Sequence, residues 1–232
     1  MENEEINTTD VLKPNYQSPL GTLEHWEEAY KKEIEQFHNN DKELGDIWFG
    51  KNLQRKIIEY IEKNFPDKNL NILDIGFGNG VLLYKLAKKN YINLYGIDYS
   101  SSSLKLANEI LNKKGEKHNK KYNIHLFQED INNKGNKIQI KFDIIHDKGS
   151  MDAFLMNKNN TIENYYKYIL SYSKKDFTYF IITSCNNTRE ELRNKFTEEK
   201  GFKYINEIKN KTFSFGGNEG QTAATQIYKI IV

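Results

Sequence analysis

The chain has little cysteine, little proline and no long apolar run. Cys185 is the single cysteine among 232 residues. It excludes an intramolecular disulfide and any cysteine-rich zinc cage, so no metal site is expected. No apolar stretch reaches the roughly 20 residues that span a bilayer. The start, Met1 to Asp10, is acidic and polar and lacks the pattern of a signal peptide. An excess of one charge is missing too. Lys and Arg number 34 against 32 Asp and Glu, which leaves no strong global pull toward nucleic acid or anionic membrane. A reducing, cytoplasmic setting is the expectation. The three prolines are Pro14, Pro19 and Pro66, so the last two thirds of the chain contain none.

What remains suits one globular domain preceded by an arm. Residues 1–19 are polar and broken by Pro14 and Pro19, which predicts a flexible N-terminal arm. Residues 20–232 form the domain, with a helical cap over 20–66. Thr22 can cap a helix in which Trp26, Tyr30, Ile34 and Phe37 make an apolar stripe. His25 replaces the Glu of a capping box. An aromatic knot follows, Gly45-Asp46-Ile47-Trp48-Phe49-Gly50, and then a second helix over about 51–64.

The organising stretch is Asn71-Ile72-Leu73-Asp74-Ile75-Gly76-Phe77-Gly78-Asn79-Gly80. A buried strand ends in glycines at every second position, and a helical pattern begins with Val81, Leu82, Leu83, Leu86 and Ala87. Strand, glycine turn and helix open a nucleotide-binding α/β unit, in which helix-start amides point at the ligand. The spacing is not that of a dinucleotide fingerprint, because the third glycine comes one residue early and Val81 takes the sixth position. A glycine turn without a ligand is the competing reading.

Further strands are read at 93–98, 124–127, 142–147, 178–184, 202–208 and 225–232. Helices are read from the serines 100–103 to about 111, over about 160–173 and over 189–199. Residues 112–122 and 212–220 are read as loops, and 138–141 as helix or strand. The lysines at 113, 114, 117, 120 and 121 then belong to a solvated loop. Alternating strands and helices imply a mostly parallel sheet covered on both faces, with the last two strands as an antiparallel edge hairpin.

Ligands of open α/β sheets bind at the carboxyl ends of the strands. Three strand ends carry acids, Asp98, Asp130 and Asp147. Asp98 can accept hydrogen bonds from two ribose hydroxyls. Asp130 can accept from an adenine amino group while Ile131 covers the ring. With Asp74, Gly76, Gly78 and Gly80 they describe a site for an adenosine-bearing ligand. Asp147, before Lys148 and Gly149, falls where an acceptor amine would sit, although the two can equally form a surface ion pair. Cys185 follows an apolar strand and reads as a packed or strand-end residue rather than a nucleophile.

Asp-x-Gly-x-Gly-x-Gly resembles the first motif of class I S-adenosylmethionine-dependent methyltransferases. More specific segments resemble the eukaryotic elongation factor 1-alpha lysine methyltransferase 2 family and its fungal equivalents. They are Leu20-Gly21-Thr22 with Trp26 and Tyr30, Ile47-Trp48-Phe49-Gly50, Gly96-Ile97-Asp98-Tyr99-Ser100, Asp147-Lys148-Gly149-Ser150-Met151-Asp152-Ala153, Thr183-Ser184-Cys185-Asn186 and Phe213-Ser214-Phe215-Gly216-Gly217. The resemblance implies the seven-stranded, Rossmann-like class I sheet with helices on both faces. It implies S-adenosyl-L-methionine as donor and transfer to a lysine of elongation factor 1-alpha, a protein partner rather than a membrane or nucleic acid. It places Asp74, Gly76, Gly78 and Gly80 at the donor's amino-acid end, Asp98 at the ribose, Asp130 and Ile131 at the adenine, and Asp147 as the catalytic group beside the acceptor. Asn187 departs from the family pattern, where Trp is expected.

Trp48 and Phe49 have two readings: a slot for the lysine stem, or anchors for the N-terminal helices. Phe213 and Phe215 suit a substrate-facing loop or the packing of the edge hairpin. Two other functions share the same motifs, an RNA or small-molecule methyltransferase with the same donor and a non-catalytic donor-binding scaffold.

Overall fold

The computed structural model describes residues 18–132, 138–210, 212–215, 218–221 and 223–232; for 212–215 and 218–221 this means the backbone. The arm expected over 1–19 lies outside the described residues up to 17; Pro19–Gly21 form a 3-10 turn.

Nine strands are described: β1 (Asn71–Ile75), β2 (Asn93–Asp98), β3 (Ile124–Gln128), β4 (Ile144–Lys148), β5 (Tyr179–Ser184), β6 (Phe202–Ile208), β7 (Thr212–Phe215), β8 (Asn218–Gln221) and β9 (Ala224–Ile230). Seven form one sheet in the order β3-β2-β1-β4-β5-β9-β6. The first five are mutually parallel; β9 runs antiparallel to both β5 and β6. That is the expected class I architecture. The loop expected at 212–220 is instead a separate antiparallel pair, β7 with β8.

The helices are α1 (Leu23–Asn39), α2 (Gly50–Asn64), α3 (Val81–Lys88), α4 (Ser101–His118), α5 (Ser150–Met156), α6 (Ile162–Tyr172) and α7 (Arg189–Lys195). Thr22 caps α1 by accepting from the His25 amide at 3.3 Å. α4 runs well into the stretch read as a loop from 112. Its Lys and Glu residues are good helix formers that need no burial, and Asn119 in left-handed backbone ends it. Residues 138–141 are neither helix nor strand, though Ile138 is buried. α5 was not foreseen, because two turns are too few to show a period.

The central strands are buried on both faces, as parallel strands between helix layers must be. Leu73, Ile145, Phe180 and Ile182 pack with Tyr165, Ile169 and Phe196 from α6 and the end of α7. Ile72, Ile144 and Ile181 face the other way, onto Ile57, Ile61, Leu82 and Leu86 of α2 and α3. α1 packs across α4 through Tyr30, Ile34 and Phe37 against Leu106 and Ile110. This brings α1 and the segment after it over the carboxyl ends of β1 and β2.

Candidate active site

A cavity of about 290 Å³ opens at those strand ends. Its floor is the glycine turn after β1. Gly76 has φ +63°, and a Cβ there would lie 1.9 Å from Ser150 Oγ, so only glycine fits. The turn is fixed by Gly76 N–H donating to Ile97 O at 2.7 Å and by Asn79 Oδ1 accepting from Val81 N–H at 3.2 Å.

Asp98 ends β2, is 5% exposed and lines the cavity. One oxygen accepts from Gly78 N–H at 3.0 Å and the other from Ser100 N–H at 2.9 Å. Burial pushes its pKa up to about 6 against the pull of those two bonds. Asp74, also at the cavity wall, meets Nδ1 of the fully buried His146 at 2.7 Å. Their strands place them opposite one another in register. Asp130 and Ile131 line the far end, where Asp130 Oδ1 accepts from Asn132 N–H at 2.8 Å. Glu129 lines it as well, an acid the sequence reading passed over. It is buried and accepts from the hydroxyls of Tyr168 at 2.8 Å and Tyr172 at 2.6 Å. Two tyrosines of α6 spaced four apart were the available signal.

The other half of the site differs from expectation. Asp147 is fully buried and stands behind the cavity wall. It accepts from Ser150 N–H at 2.9 Å, Met151 N–H at 3.1 Å and the Tyr165 hydroxyl at 2.7 Å. Burial pushes its pKa up to about 7. Asp147 therefore does not line the cavity beside which the sequence reading expects it. Strand alternation points Asp147 toward α6, where it caps the start of α5. The next residue, Lys148, faces the cavity instead. Its Nζ donates to Trp48 O at 3.1 Å and lies 5.8 Å from the Phe49 ring centre. The same burial lowers the Lys148 pKa.

Trp48 and Phe49 do line the cavity. Trp48 is 40% exposed and its ring centre lies 5.2 Å from that of Trp26. Phe49 adopts left-handed backbone, φ +60°, and a Cβ on Gly149 would come within 3.2 Å of its ring. Two side chains hold this segment across the site: Lys148 at Trp48, and Asn79 Nδ2, which donates to Asp46 O at 2.9 Å. Asp152 of α5 accepts from Ser184 Oγ at 2.5 Å and Cys185 N–H at 2.8 Å, tying the β5 loop to the cavity edge. Asn187 joins them, donating to Ser184 Oγ at 2.9 Å. Cys185 is exposed at the rim, and burial of its sulfur raises the thiol pKa to about 11, unlike an activated nucleophile. The Phe215 side chain lies outside the described residues, as does that of Phe213.

The donor set suits an adenosine-bearing cation. Asp74, Asp98, Glu129 and Asp130 are among the acids that line the cavity, and the glycine turn at its floor leaves bare backbone where a side chain would intrude. Among the described residues no cluster could hold a metal ion, and no helix is long and apolar enough to cross a membrane.

Comparisons with known proteins agree with this geometry. A family profile described as "Methyltransferase domain" matches residues 66–229. The human "EEF1A lysine methyltransferase 2" is 39% identical over 214 residues, covering 91% of this chain and 87% of that relative. The Saccharomyces cerevisiae "Protein-lysine N-methyltransferase EFM4" is 35% identical, covering 88% and 92%. Among solved structures, a TehB-like S-adenosylmethionine-dependent methyltransferase from Corynebacterium glutamicum superposes with a TM-score of 0.59 at 14% identity, covering 87% of this chain and 97% of that one. The magnesium protoporphyrin IX methyltransferase of Synechocystis, solved with bound S-adenosylmethionine, gives 0.56 at 13% identity, covering 87% and 83%. The two structures share the fold, and the sequence relatives fix the family: the chain belongs to the S-adenosylmethionine-dependent methyltransferases, in the protein-lysine methyltransferase family of EEF1A lysine methyltransferase 2 and EFM4.

Proposed function

We propose that this chain methylates a lysine of translation elongation factor 1-alpha. One observation carries the reading. A carboxylate-lined donor half and an exposed aromatic half, Trp48 with Phe49, share one cavity, in a chain 39% identical to a relative named for that substrate.

Asp98 would take the ribose hydroxyls, Asp130 and Ile131 the adenine, and Asp74 with the glycine turn the amino-acid end. When bound, the donor supplies a methyl group on a sulfonium sulfur. The chain itself positions the amine and keeps water out. The acceptor lysine must attack as a neutral amine, and losing its proton at pH 7.4 costs about 4 kcal/mol from a reference pKa of about 10.4. An apolar wall made by Trp48 and Phe49 disfavours the charged form by desolvation, and the cation of Lys148 beside it acts in the same direction. No dedicated base is required. Asp147 is assigned as a positioning residue that holds the turn at Gly149 and Ser150.

The test is transfer of labelled methyl from S-adenosylmethionine to recombinant elongation factor 1-alpha, with the modified residue mapped by mass spectrometry. Labelled lysine in the factor is expected. Label in RNA or a small molecule, with none in the factor, would overturn the substrate.

A further inference from the structure

We propose that Tyr30, on the N-terminal helix, contacts the methyl donor, its hydroxyl giving a hydrogen bond to an oxygen of that ligand. Tyr30 lies outside residues 66–229, the part of the chain that the family profile covers.

The case begins with an exception. Tyr91, Tyr165, Tyr166, Tyr168, Tyr172 and Tyr228 are buried, and the hydroxyl of each has a protein partner; the buried Tyr84 pairs with Tyr122. Tyr30 is as buried as they are, at 8% exposed. Its hydroxyl makes no hydrogen bond to another described residue. The oxygen is not among the buried polar atoms that lack a partner, so it opens onto the cavity it lines; a hydroxyl held on a buried ring and facing a ligand cavity is placed to give a hydrogen bond to what enters.

Its position says which ligand. Tyr30 lines the cavity, and a Cβ built on Gly78 would lie 2.9 Å from its oxygen. Gly78 is the middle glycine of the turn, and its amide already donates to Asp98. The hydroxyl therefore stands over the donor half, at the seam between the ribose carboxylate and the turn. The ring cannot swing away: it stacks on Trp26 at 6.0 Å and packs among Ile34, Phe37, Leu106 and Ile110.

Its charge state says which atom. Burial, with the negative charges of Asp98 and Glu33 nearby, raises the phenol pKa well above its ordinary value. The group is a proton donor at any working pH. The surrounding acids already supply acceptors for the ligand's hydroxyls and ammonium. What they cannot supply is a donor for its oxygens, and Tyr30 does. The ligand offers two kinds of oxygen there, on the ribose and on the carboxylate of the methionine part.

Tyr30→Phe keeps the ring and its packing and removes the one atom in question. Calorimetry would compare S-adenosylhomocysteine with 5′-methylthioadenosine, which keeps the ribose and lacks the carboxylate. The expected result is about three- to tenfold weaker S-adenosylhomocysteine binding, with the ligand-free melting temperature unchanged. Loss for S-adenosylhomocysteine alone assigns the contact to the carboxylate; equal loss for both assigns it to the ribose. Unchanged affinity for both overturns the proposal, and so does a lowered ligand-free melting temperature with affinity intact. Elongation factor is absent from the assay, so the result stands apart from the acceptor's identity.

Discussion

The ends of β2 and β4 carry the same residue type in the same strand position and use it in different ways. Asp98 lines the cavity, and each of its oxygens accepts from a backbone amide, Gly78 and Ser100. Asp147 turns inward, and α5 and Tyr165 take up its oxygens. Both carboxyls have raised pKa values, about 6 and about 7, for the same reason, burial. A perturbed pKa at a strand end is therefore no guide to which acid meets a ligand. Direction of the side chain decides, and a one-residue step along β4 replaces the acid by Lys148 at the cavity wall.

The contrast can be broken most directly at Asp147. Asp147→Ala leaves two amides and a hydroxyl without their acceptor. A loss of about 3 kcal/mol is expected, which lowers the melting temperature by about 6–12 °C for a chain of this size. Donor affinity should survive below the melt. A normal melt with roughly hundredfold slower single-turnover transfer would return Asp147 to the acceptor site.

Asp98→Ala should act on the ligand. Calorimetry should show S-adenosylmethionine binding weakened by about 1–3 kcal/mol. Equal affinity in the two proteins would remove Asp98 from the donor half.

Trp48→Ala sharpens the aromatic side. Its indole is partly exposed, so the melt should move little, while turnover at saturating donor falls by about tenfold, the scale of a lost aromatic contact. A large drop in melting temperature instead would make Trp48 an anchor for the helices.

The smallest effect is in pH. Asp98 has a raised folded pKa, so the stability it contributes is full below its unfolded value, near 3.8, and is lost as pH rises through about 6. Ligand binding runs the other way, because the ribose hydroxyls need the ionised form. Donor affinity should be about twofold weaker at pH 6 than at pH 8, measured by titration in one buffer series. A flat profile would mean that the protonated acid binds equally well.

Most strands were legible in the sequence to within a residue or two, because runs such as Ile144–Ile145 and Phe180–Ile182 are apolar and buried, and in β1 Asp74 is the single charged residue of the strand. The donor half was legible for a related reason: a backbone that must approach a ligand demands glycine at fixed spacing. The acceptor half was not. There the facing decides: Asp147 turns toward α6 and Lys148 toward the cavity, and which helix layer covers each face of β4 is set by tertiary packing that a single strand's sequence does not show. Tyr30 belongs to the apolar stripe of α1 that packs on α4. Nothing in a stripe tells which hydroxyl lacks a partner.

One feature of the cavity mouth has an optical consequence. The chain has two tryptophans, Trp26 and Trp48. Both line the cavity and their rings lie 5.2 Å apart. Light absorbed at 295 nm is therefore absorbed at the mouth of the site and nowhere else in the chain. Its emission is a built-in, label-free signal for whatever enters, and Trp48→Ala would leave Trp26 as a single chromophore beside the ring of Tyr30.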